Sequence, residues 1–323
     1  MATILTKREF VKTACLGGCG LAIGFTHFEA AARGLLKTPL PDDDLWKWSR
    51  EAIYYIETPK GIKCKLCPQA CEIKVDETGD CRTRVVKDNK LYTIAYGNPC
   101  AIHIDPIEKK PLNHFLPSSK AFSIATAGCN LACLNCQNWS ISQIGPRDSR
   151  NYDLMPEQAV AECKKNSCQS IAYTYSDPVA FYEYTYDTAM LARKAGIKNV
   201  FISAGYINEQ PLRDICPYLD AANIDLKSYS DQIYEMLNAG TLQPVLDTLR
   251  IMKEEGVWLE ITNLVIPDWT DDMEMIKKMC AWLAGHGFED TPLHFSRFQP
   301  LYKLTHLPPT PVNTLEQARK IAL

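Results

Sequence analysis

Three cysteines in the middle of the chain have a spacing suited to iron–sulfur chemistry. The segment SIATAGCNLACLNCQNW places Cys129, Cys133 and Cys136 in a CxxxCxxC pattern, directly after an apolar run that predicts a strand. Three thiolates from one loop can bind three irons of a cubane and leave the fourth iron without a protein ligand. An open iron is what a chelating cofactor needs. The alternative is a structural zinc site whose fourth ligand lies elsewhere in the chain.

A second group of cysteines lies nearer the N terminus. Cys64, Cys67 and Cys71 form a CxxCxxxC pattern, and a fourth thiol, Cys81, follows. The close spacing of both groups, in a chain with 14 cysteines, indicates metal ligation rather than disulfides. Four thiols in a small β unit suit either tetrahedral zinc or a second 4Fe-4S cluster that relays electrons. We predict a bound metal at this second site and leave the choice between zinc and iron–sulfur open.

The elements that must position the central cysteines form a repeating pattern. From Ala121 onward, apolar runs alternate with amphipathic segments, and the runs are FSIAT, SIAYTYS, NVFISA, AANIDLK, VWLEITNLVIP and LHFSRF. Helices are predicted between them, near residues 156–165, 179–194, 210–218, 231–255 and 271–284, with a last one from about residue 313. Six consecutive βα steps indicate an α/β fold with a parallel sheet wrapped by helices. Six units rather than eight predict a partial (β/α)6 TIM-like barrel, with its site at the C-terminal ends of the strands.

Composition divides the chain into three parts. We predict a leader and linker over residues 1–44, a small Cys-rich N-terminal β unit over 45–120, and the barrel over 121–323. Aromatic and apolar residues from Leu45 to Ile56 recur at helical spacing and predict a helix, and short alternating runs after it predict β-hairpins around the metal. The chain stops at Leu323 inside a predicted helix, so we expect the sequence to be truncated at its C terminus.

Charge and hydropathy exclude two classes of partner. The formal net charge is -3, and Lys and Arg are scattered, so no basic stripe is available for nucleic acid. Beyond the leader, no apolar stretch is long enough for stable membrane insertion. The leader itself places Lys7 and Arg8 before a short Gly-rich apolar run, which resembles a twin-arginine export signal with Lys in place of the first Arg. The alternative is an N-terminal extension without a targeting role.

Several segments, in the same order, resemble the radical S-adenosylmethionine (radical SAM) superfamily. The resemblance is closer to relatives of pyruvate formate-lyase activating enzyme and, within them, to the radical component of the AmmeMemoRadiSam group. It rests on DPIEKKPLNHFLP, GCNLACLNCQNWSISQ, AYTYSDP, AANIDLK and FSRFQPLYKLTHLPPTPVNTLEQA. It implies a radical SAM barrel, a 4Fe-4S cluster on the central cysteines, and S-adenosylmethionine bound to the open iron.

The resemblance also implies cofactor contacts at the ends of the second and third barrel strands. Ser176 and Asp177 lie where the family's Gly-Gly-Glu motif binds the amino group of the cofactor, so Asp177 would take the role of that Glu. The alternative is an ordinary turn that begins at Asp177 and Pro178. Ser203 and Gly205 match the place where relatives position the methionine or ribose part of the cofactor.

Four further residues correspond to family positions around the cofactor. Asp225 and Lys227 match an Asp-Leu-Lys motif that contacts the cofactor or the substrate peptide, the alternative being a surface ion pair. Asn135 stands where the activating enzymes carry an aromatic residue beside the adenine, and Gln299 where they use a His. These two departures leave the adenine and ribose contacts open.

The resemblance implies an activating-enzyme-like oxidoreductase. A reduced cluster would cleave S-adenosylmethionine to a 5′-deoxyadenosyl radical, which abstracts hydrogen from a protein or peptide substrate. The alternatives are radical modification of a small molecule or lipid, and an iron–sulfur electron carrier without cofactor turnover. The expected electron donor is a low-potential protein of the flavodoxin or ferredoxin type. Because both the cofactor and such donors are cytoplasmic, we predict cytoplasmic function, with export through the leader as the alternative.

Overall fold

Two small antiparallel sheets form the N-terminal part of the structure, a computed structural model that describes residues 45–323. In the first sheet the central strand is β6, and its strands are β1 (Arg50–Glu51), β5 (Arg84–Lys87) and β6 (Lys90–Thr93). In the second the central strand is β3, and its strands are β2 (Tyr55–Thr58), β3 (Gly61–Cys64) and β4 (Glu72–Ile73). These two sheets contain the short strands that the sequence predicts around the N-terminal cysteines. The predicted leader and linker, residues 1–44, lie outside the described residues.

The helix predicted from Leu45 to Ile56 is wrong. Beyond a short helical turn at its start, this segment contributes strands β1 and β2 to two different sheets. Its residues have different partners. Trp48 packs in a small cluster with Val85 and Ile94, whereas the N–H of Ala52 donates to the carbonyl of Leu91 at 2.8 Å. Apolar spacing therefore did not mark one helical face here, because the residues do not pack against a common surface.

A seven-stranded sheet forms the rest of the framework. The strands lie in chain order, with β7 antiparallel to β8 and all the others parallel. They are β7 (Ala101–Pro106), β8 (Lys120–Ala125), β9 (Ser170–Tyr173), β10 (Lys198–Ser203), β11 (Ala221–Asp225), β12 (Trp258–Val265) and β13 (Leu293–Arg297). The six predicted parallel strands, β8–β13, are thus confirmed. Their apolar runs are continuous because central parallel strands are buried on both faces.

Helices follow the parallel strands as the sequence predicts. The helices are α1 (Trp139–Ser142), α2 (Pro156–Lys165), α3 (Tyr182–Lys194), α4 (Glu209–Ile215), α5 (Asp231–Ile233), α6 (Gln243–Glu254), α7 (Met273–Gly285) and α8 (Val312–Ala322). A π-helical turn, Tyr234–Asn238, continues α5. Local signals set some ends: α2 begins at a proline, and the Asp272 side chain accepts from the N–H of Glu274 at the start of α7. In residues 45–323 no helix has the length and apolar character to cross a membrane.

The segment between β7 and β8 covers the inside of the sheet. We call residues 107–116 the plug. Its side chains Ile107 and Leu112 are fully buried against small residues of four barrel strands, Ala121, Ala172, Val200 and Ala221. Because these strand residues are short, the plug can enter where larger side chains would fill a complete barrel.

One buried carboxylate holds the plug to the sheet. Glu260, near the start of β12, is fully buried and accepts from the N–H groups of Asn113, His114 and Phe115 at 2.8–3.0 Å. It also bonds to Nε2 of His294 at 2.7 Å. Burial acts to raise the pKa of Glu260, but His294 and the plug amides outweigh it and lower the pKa to about 2.

Replacing Glu260 with Ala should destabilise the fold in a pH-dependent way. We expect a loss of about 3 kcal/mol in the free energy of unfolding at neutral pH, because buried donors lose a charged acceptor. The pKa of Glu260 in the folded protein lies below its ordinary value of 4.5. The extra stability of the wild type from the ionised Glu260 is therefore complete above the pKa of the unfolded state, and it disappears as the pH falls through the pKa of the folded state. Urea unfolding at several pH values measures this gap. The exposed Glu289→Ala is the control, and a gap that stayed constant down to low pH would contradict the prediction.

Candidate active site

A cavity of about 510 Å³ lies where the C-terminal ends of the parallel strands meet. Every parallel strand contributes to its wall, either through its last residues or through the loop that follows. The residues that line it include Cys129, Cys133, Cys136, Thr174, Ser176, Asp177, Ser203, Asp225, Lys227, Thr262, Ser296 and Arg297. Its volume suits a small molecule or cofactor, and its place is that of the active site in barrels of this type.

The three central cysteines all line this cavity, and each thiol has a polar neighbour. The thiol of Cys129 accepts from the N–H of Leu131 at 3.4 Å. That of Cys133 accepts from Nδ2 of Asn238 at 3.1 Å, and that of Cys136 lies 3.0 Å from Oγ of Ser142. Hydrogen bonds of this kind orient metal-binding thiolates and stabilise their negative charge.

The π-helical turn after α5 supports the cysteine loop from one side. The N–H of Ala132 donates to the carbonyl of Asn238 at 3.0 Å, and that of Leu134 to the carbonyl of Leu237 at 2.9 Å. Single π turns are frequent at functional sites, since they re-aim a side chain from a helix. Here the turn ends with Asn238, whose side chain reaches Cys133.

The residues of the cavity fit a cluster together with a polar ligand. Three atoms in its wall are buried without a protein partner: Oδ1 of Asn135, Oδ1 of Asn238 and Oγ1 of Thr262. Because unpaired buried polar atoms are costly, they favour a ligand with polar groups. Within residues 45–323, no three His, Cys, Asp or Glu side chains are close enough to share one metal ion. A cubane has a different requirement, since each thiolate binds its own iron.

Asp177 is buried, lines the same cavity and is already well hydrogen-bonded. It accepts from the N–H of Val179 at 3.0 Å, from Oγ of Ser203 at 3.0 and 3.1 Å, and from the N–H of Ala204 at 2.9 Å. Burial raises the pKa of Asp177, and these hydrogen bonds oppose the shift. The carboxylate therefore caps the turn Pro178–Phe181 and joins the ends of β9 and β10 as well as facing the cavity.

Asp225 and Lys227 form an ion pair beside the thiols. Their charged atoms are 2.9 Å apart, and both residues line the cavity. Burial acts to lower the pKa of Lys227, but Asp225 and Cys133 raise it above its usual value. Lys227 is consequently a stable cation, placed where it can offset thiolate charge.

Two predicted contacts lie outside the cavity wall. Gly205 has φ +67° and faces Ile224 and Thr248, and Gln299 is an exposed residue beyond β13. The structure instead brings Ser296 and Arg297, the last residues of β13, into the wall. Their place at the C-terminal end of the last predicted strand could have indicated these two. The contribution of Asn238 had no sequence signal, because nothing in the sequence marks the π turn.

The four N-terminal cysteines line a separate, smaller cavity. Cys64, Cys67, Cys71 and Cys81 surround a space of about 20 Å³. The central cysteine loop contacts the N-terminal β unit, because Asn130 of this loop lines the smaller cavity while its neighbour Cys129 lines the larger one.

Comparison with known proteins gives consistent matches. Residues 123–280 match the Radical SAM superfamily. An uncharacterized protein of Methanocaldococcus jannaschii is 42% identical over 85% of this chain and 82% of its own length. The pyruvate formate-lyase 1-activating enzyme of Escherichia coli is 22% identical over 60% of this chain and 85% of its own.

Solved structures with a similar chain path include radical SAM enzymes. A radical SAM methyltransferase from Sphaerobacter thermophilus aligns over 98% of this chain and 90% of its own, with 13% identity and a TM-score of 0.49. A domain of pyruvate-formate lyase-activating enzyme from Bacteroides vulgatus aligns over 47% of this chain and 92% of its own, with 15% identity and a TM-score of 0.40.

Replacing Gly128, just before the first central cysteine, should disrupt the loop. Gly128 has φ +107°, and a Cβ there would overlap the carbonyl oxygen of Cys81 and lie 2.7 Å from Cγ2 of Thr83. Gly196→Ala is a matched control, because Gly196 also has positive φ, +74°, but nothing lies within 4 Å of an added Cβ. We expect Gly128→Ala to cost about 2 kcal/mol more than the control in urea unfolding. Equal losses would show that strain in φ, not the close contact, explains the effect.

Proposed function

This chain belongs to the radical S-adenosylmethionine superfamily, and we propose that it is an enzyme that cleaves this cofactor at a cluster held by Cys129, Cys133 and Cys136. The observation that carries the proposal is that all three thiols line one cavity of about 510 Å³ at the C-terminal ends of the barrel strands. When bound, a 4Fe-4S cluster with an open iron supplies the electron that breaks a C–S bond of S-adenosylmethionine and yields a hydrogen-abstracting 5′-deoxyadenosyl group.

The protein's own residues would bind and orient the cofactor. Asp177 offers a buried carboxylate at the end of β9 for the cofactor's ammonium group, and Ser203 holds that carboxylate in position. The unpaired oxygens of Asn135 and Thr262 are available as acceptors on other walls. Lys227 offsets negative charge near Cys133. These roles are part of the proposal, as are cofactor contacts from Ser176 and Asp225, which line the same cavity.

The decisive test is turnover of the cofactor by anaerobically reconstituted protein. With dithionite as reductant, the wild type should form 5′-deoxyadenosine and Cys133→Ala should form none, because the variant lacks one of three iron ligands. Cys163→Ala is the matched control, since Cys163 is fully buried and lies outside the cavity wall. Iron binding by the wild type without 5′-deoxyadenosine would instead favour an electron carrier.

The hydrogen bond from Asn238 to Cys133 should tune the reduction potential of the cluster. A donor to a ligand thiolate stabilises the more negative, reduced state. Asn238→Leu removes the donor and keeps the branched shape of the side chain, so we expect the midpoint potential to fall by about 40 mV, which corresponds to about 1 kcal/mol for one electron. EPR-monitored redox titration measures the shift. The exposed Asn313→Leu should leave the potential unchanged, and an equal value in Asn238→Leu would contradict the role of this contact.

We further propose that the hydrogen donor is a protein or peptide, with reduction by a flavodoxin- or ferredoxin-type protein in the cytoplasm. Support comes from the homologous pyruvate formate-lyase-activating enzymes, which are named for a protein that they activate. A small molecule or lipid is the alternative substrate.

Deuterium transfer can distinguish these substrates without knowing their identity. Extract from cells grown on deuterated medium is separated into macromolecular and small-molecule fractions, and each is added to the wild-type assay. Deuterium in 5′-deoxyadenosine from the macromolecular fraction alone supports a polypeptide donor. Deuterium from the small-molecule fraction alone contradicts it. Cys133→Ala with the same fractions controls for label introduced without catalysis.

A further inference from the structure

The four N-terminal cysteines converge although they come from different loops. Cys64 ends β3, Cys67 and Cys71 lie in the connection to β4, and Cys81 lies between β4 and β5. The N–H of Cys64 donates to the carbonyl of Cys71 at 2.9 Å, which closes this connection. All four then line the same buried cavity of about 20 Å³. Convergence of four soft ligands on one space is typical of a metal centre.

A buried arginine in the same cavity lacks hydrogen-bond acceptors. Arg84 is only 2% exposed, and one of its nitrogens, Nη1, donates to Oε1 of Glu183 at 2.8 Å. Its Nε and Nη2 have no protein partner. Unpaired N–H groups of a buried guanidinium are costly. Sulfur atoms that carry negative charge in the adjoining space would accept from them, so the arginine points to an anionic occupant.

The spacing of the thiols distinguishes between the two metals that the sequence left open. In a zinc site the four sulfurs close on a single ion at about 2.3 Å. Within residues 45–323 no three His, Cys, Asp or Glu side chains are close enough to share one metal ion, so the four thiols line one cavity but are too far apart for a zinc site. In a cubane each sulfur binds a separate iron at the edge of the cluster, which needs a wider arrangement. The wider spacing of the thiols therefore favours iron–sulfur.

We propose that Cys64, Cys67, Cys71 and Cys81 bind a second 4Fe-4S cluster. Each thiol gives up its proton when its sulfur binds an iron, and four thiolates around a [4Fe-4S]²⁺ core carry a net charge of −2. Arg84 offsets part of this charge and donates to the cluster's sulfur atoms. The two metal centres then lie on opposite sides of the central loop, because Asn130 lines the cavity of one and its neighbours Cys129 and Leu131 line the cavity of the other.

Iron, sulfide and zinc analysis of reconstituted full-length protein tests this proposal independently of cofactor cleavage. The wild type should hold about eight irons and eight sulfides per chain, and Cys64→Ser/Cys67→Ser about four of each. Cys129→Ser/Cys133→Ser/Cys136→Ser, in which the N-terminal cysteines are intact, should also hold about four and give a reduced-cluster EPR signal after dithionite. Cys163→Ser/Cys168→Ser, which changes cysteines outside both cavities, should match the wild type.

The triple variant keeps the test valid even if the double variant fails to fold, because it lacks the central cysteines and retains all four cysteines of the N-terminal site. Absence of iron from a folded triple variant would overturn the proposal. A second result would also overturn it: a wild type that holds about four irons and one zinc per chain, and a Cys64→Ser/Cys67→Ser variant that has lost the zinc. Circular dichroism establishes folding in each case. Loss of 5′-deoxyadenosine formation alone would bear on the central cluster and not on this one.

Discussion

The close packing of Gly128 against the main chain of Cys81 joins the two cysteine-bearing loops of this protein. Only a residue without a side chain can take this position, because a Cβ would overlap the Cys81 carbonyl. Other contacts reinforce the junction: Oγ1 of Thr83 donates to the carbonyl of Ala180 at 2.7 Å, and Nε2 of Gln69 to that of Asn130 at 3.0 Å. The conformation of the central loop thus depends on the N-terminal unit as well as on the strand that it follows.

Each group of cysteines has its own buried or partly buried cation, and each cation is held by a carboxylate. Lys227 pairs with Asp225 beside Cys133, and Arg84 pairs with Glu183 beside the N-terminal thiols. A carboxylate keeps the cation charged where burial alone would oppose it. A fixed positive charge therefore lies near each of these two groups of cysteines, where it lowers the cost of forming thiolates inside the protein.

The parallel strands could be predicted from the sequence because their burial on both faces leaves continuous apolar runs. Helix α2 was predicted at its observed ends because its first residue is a proline, which marks the start of a helix. Asp177, which the family resemblance placed beside the cofactor, lines the cavity and also caps the turn that begins at Pro178. Other features depend on tertiary contacts that have no local signature. The segment from Leu45 to Ile56 divides between two sheets, and the π turn that delivers Asn238 is stabilised by the cysteine loop packed against it. Gln299 was assigned to the site by its resemblance to the position of a His in the activating enzymes, but β13 ends earlier, at Arg297.

The ion pair between Arg84 and Glu183 also constrains how the sequence can diverge. One partner comes from β5 of the N-terminal unit and the other from α3 of the barrel, and both are almost completely buried. Loss of either residue alone leaves an uncompensated charge in the interior. Positions 84 and 183 are therefore expected to change together during evolution. The N-terminal unit and the barrel would accordingly be inherited as one piece, with little opportunity for the unit to be exchanged among other barrels.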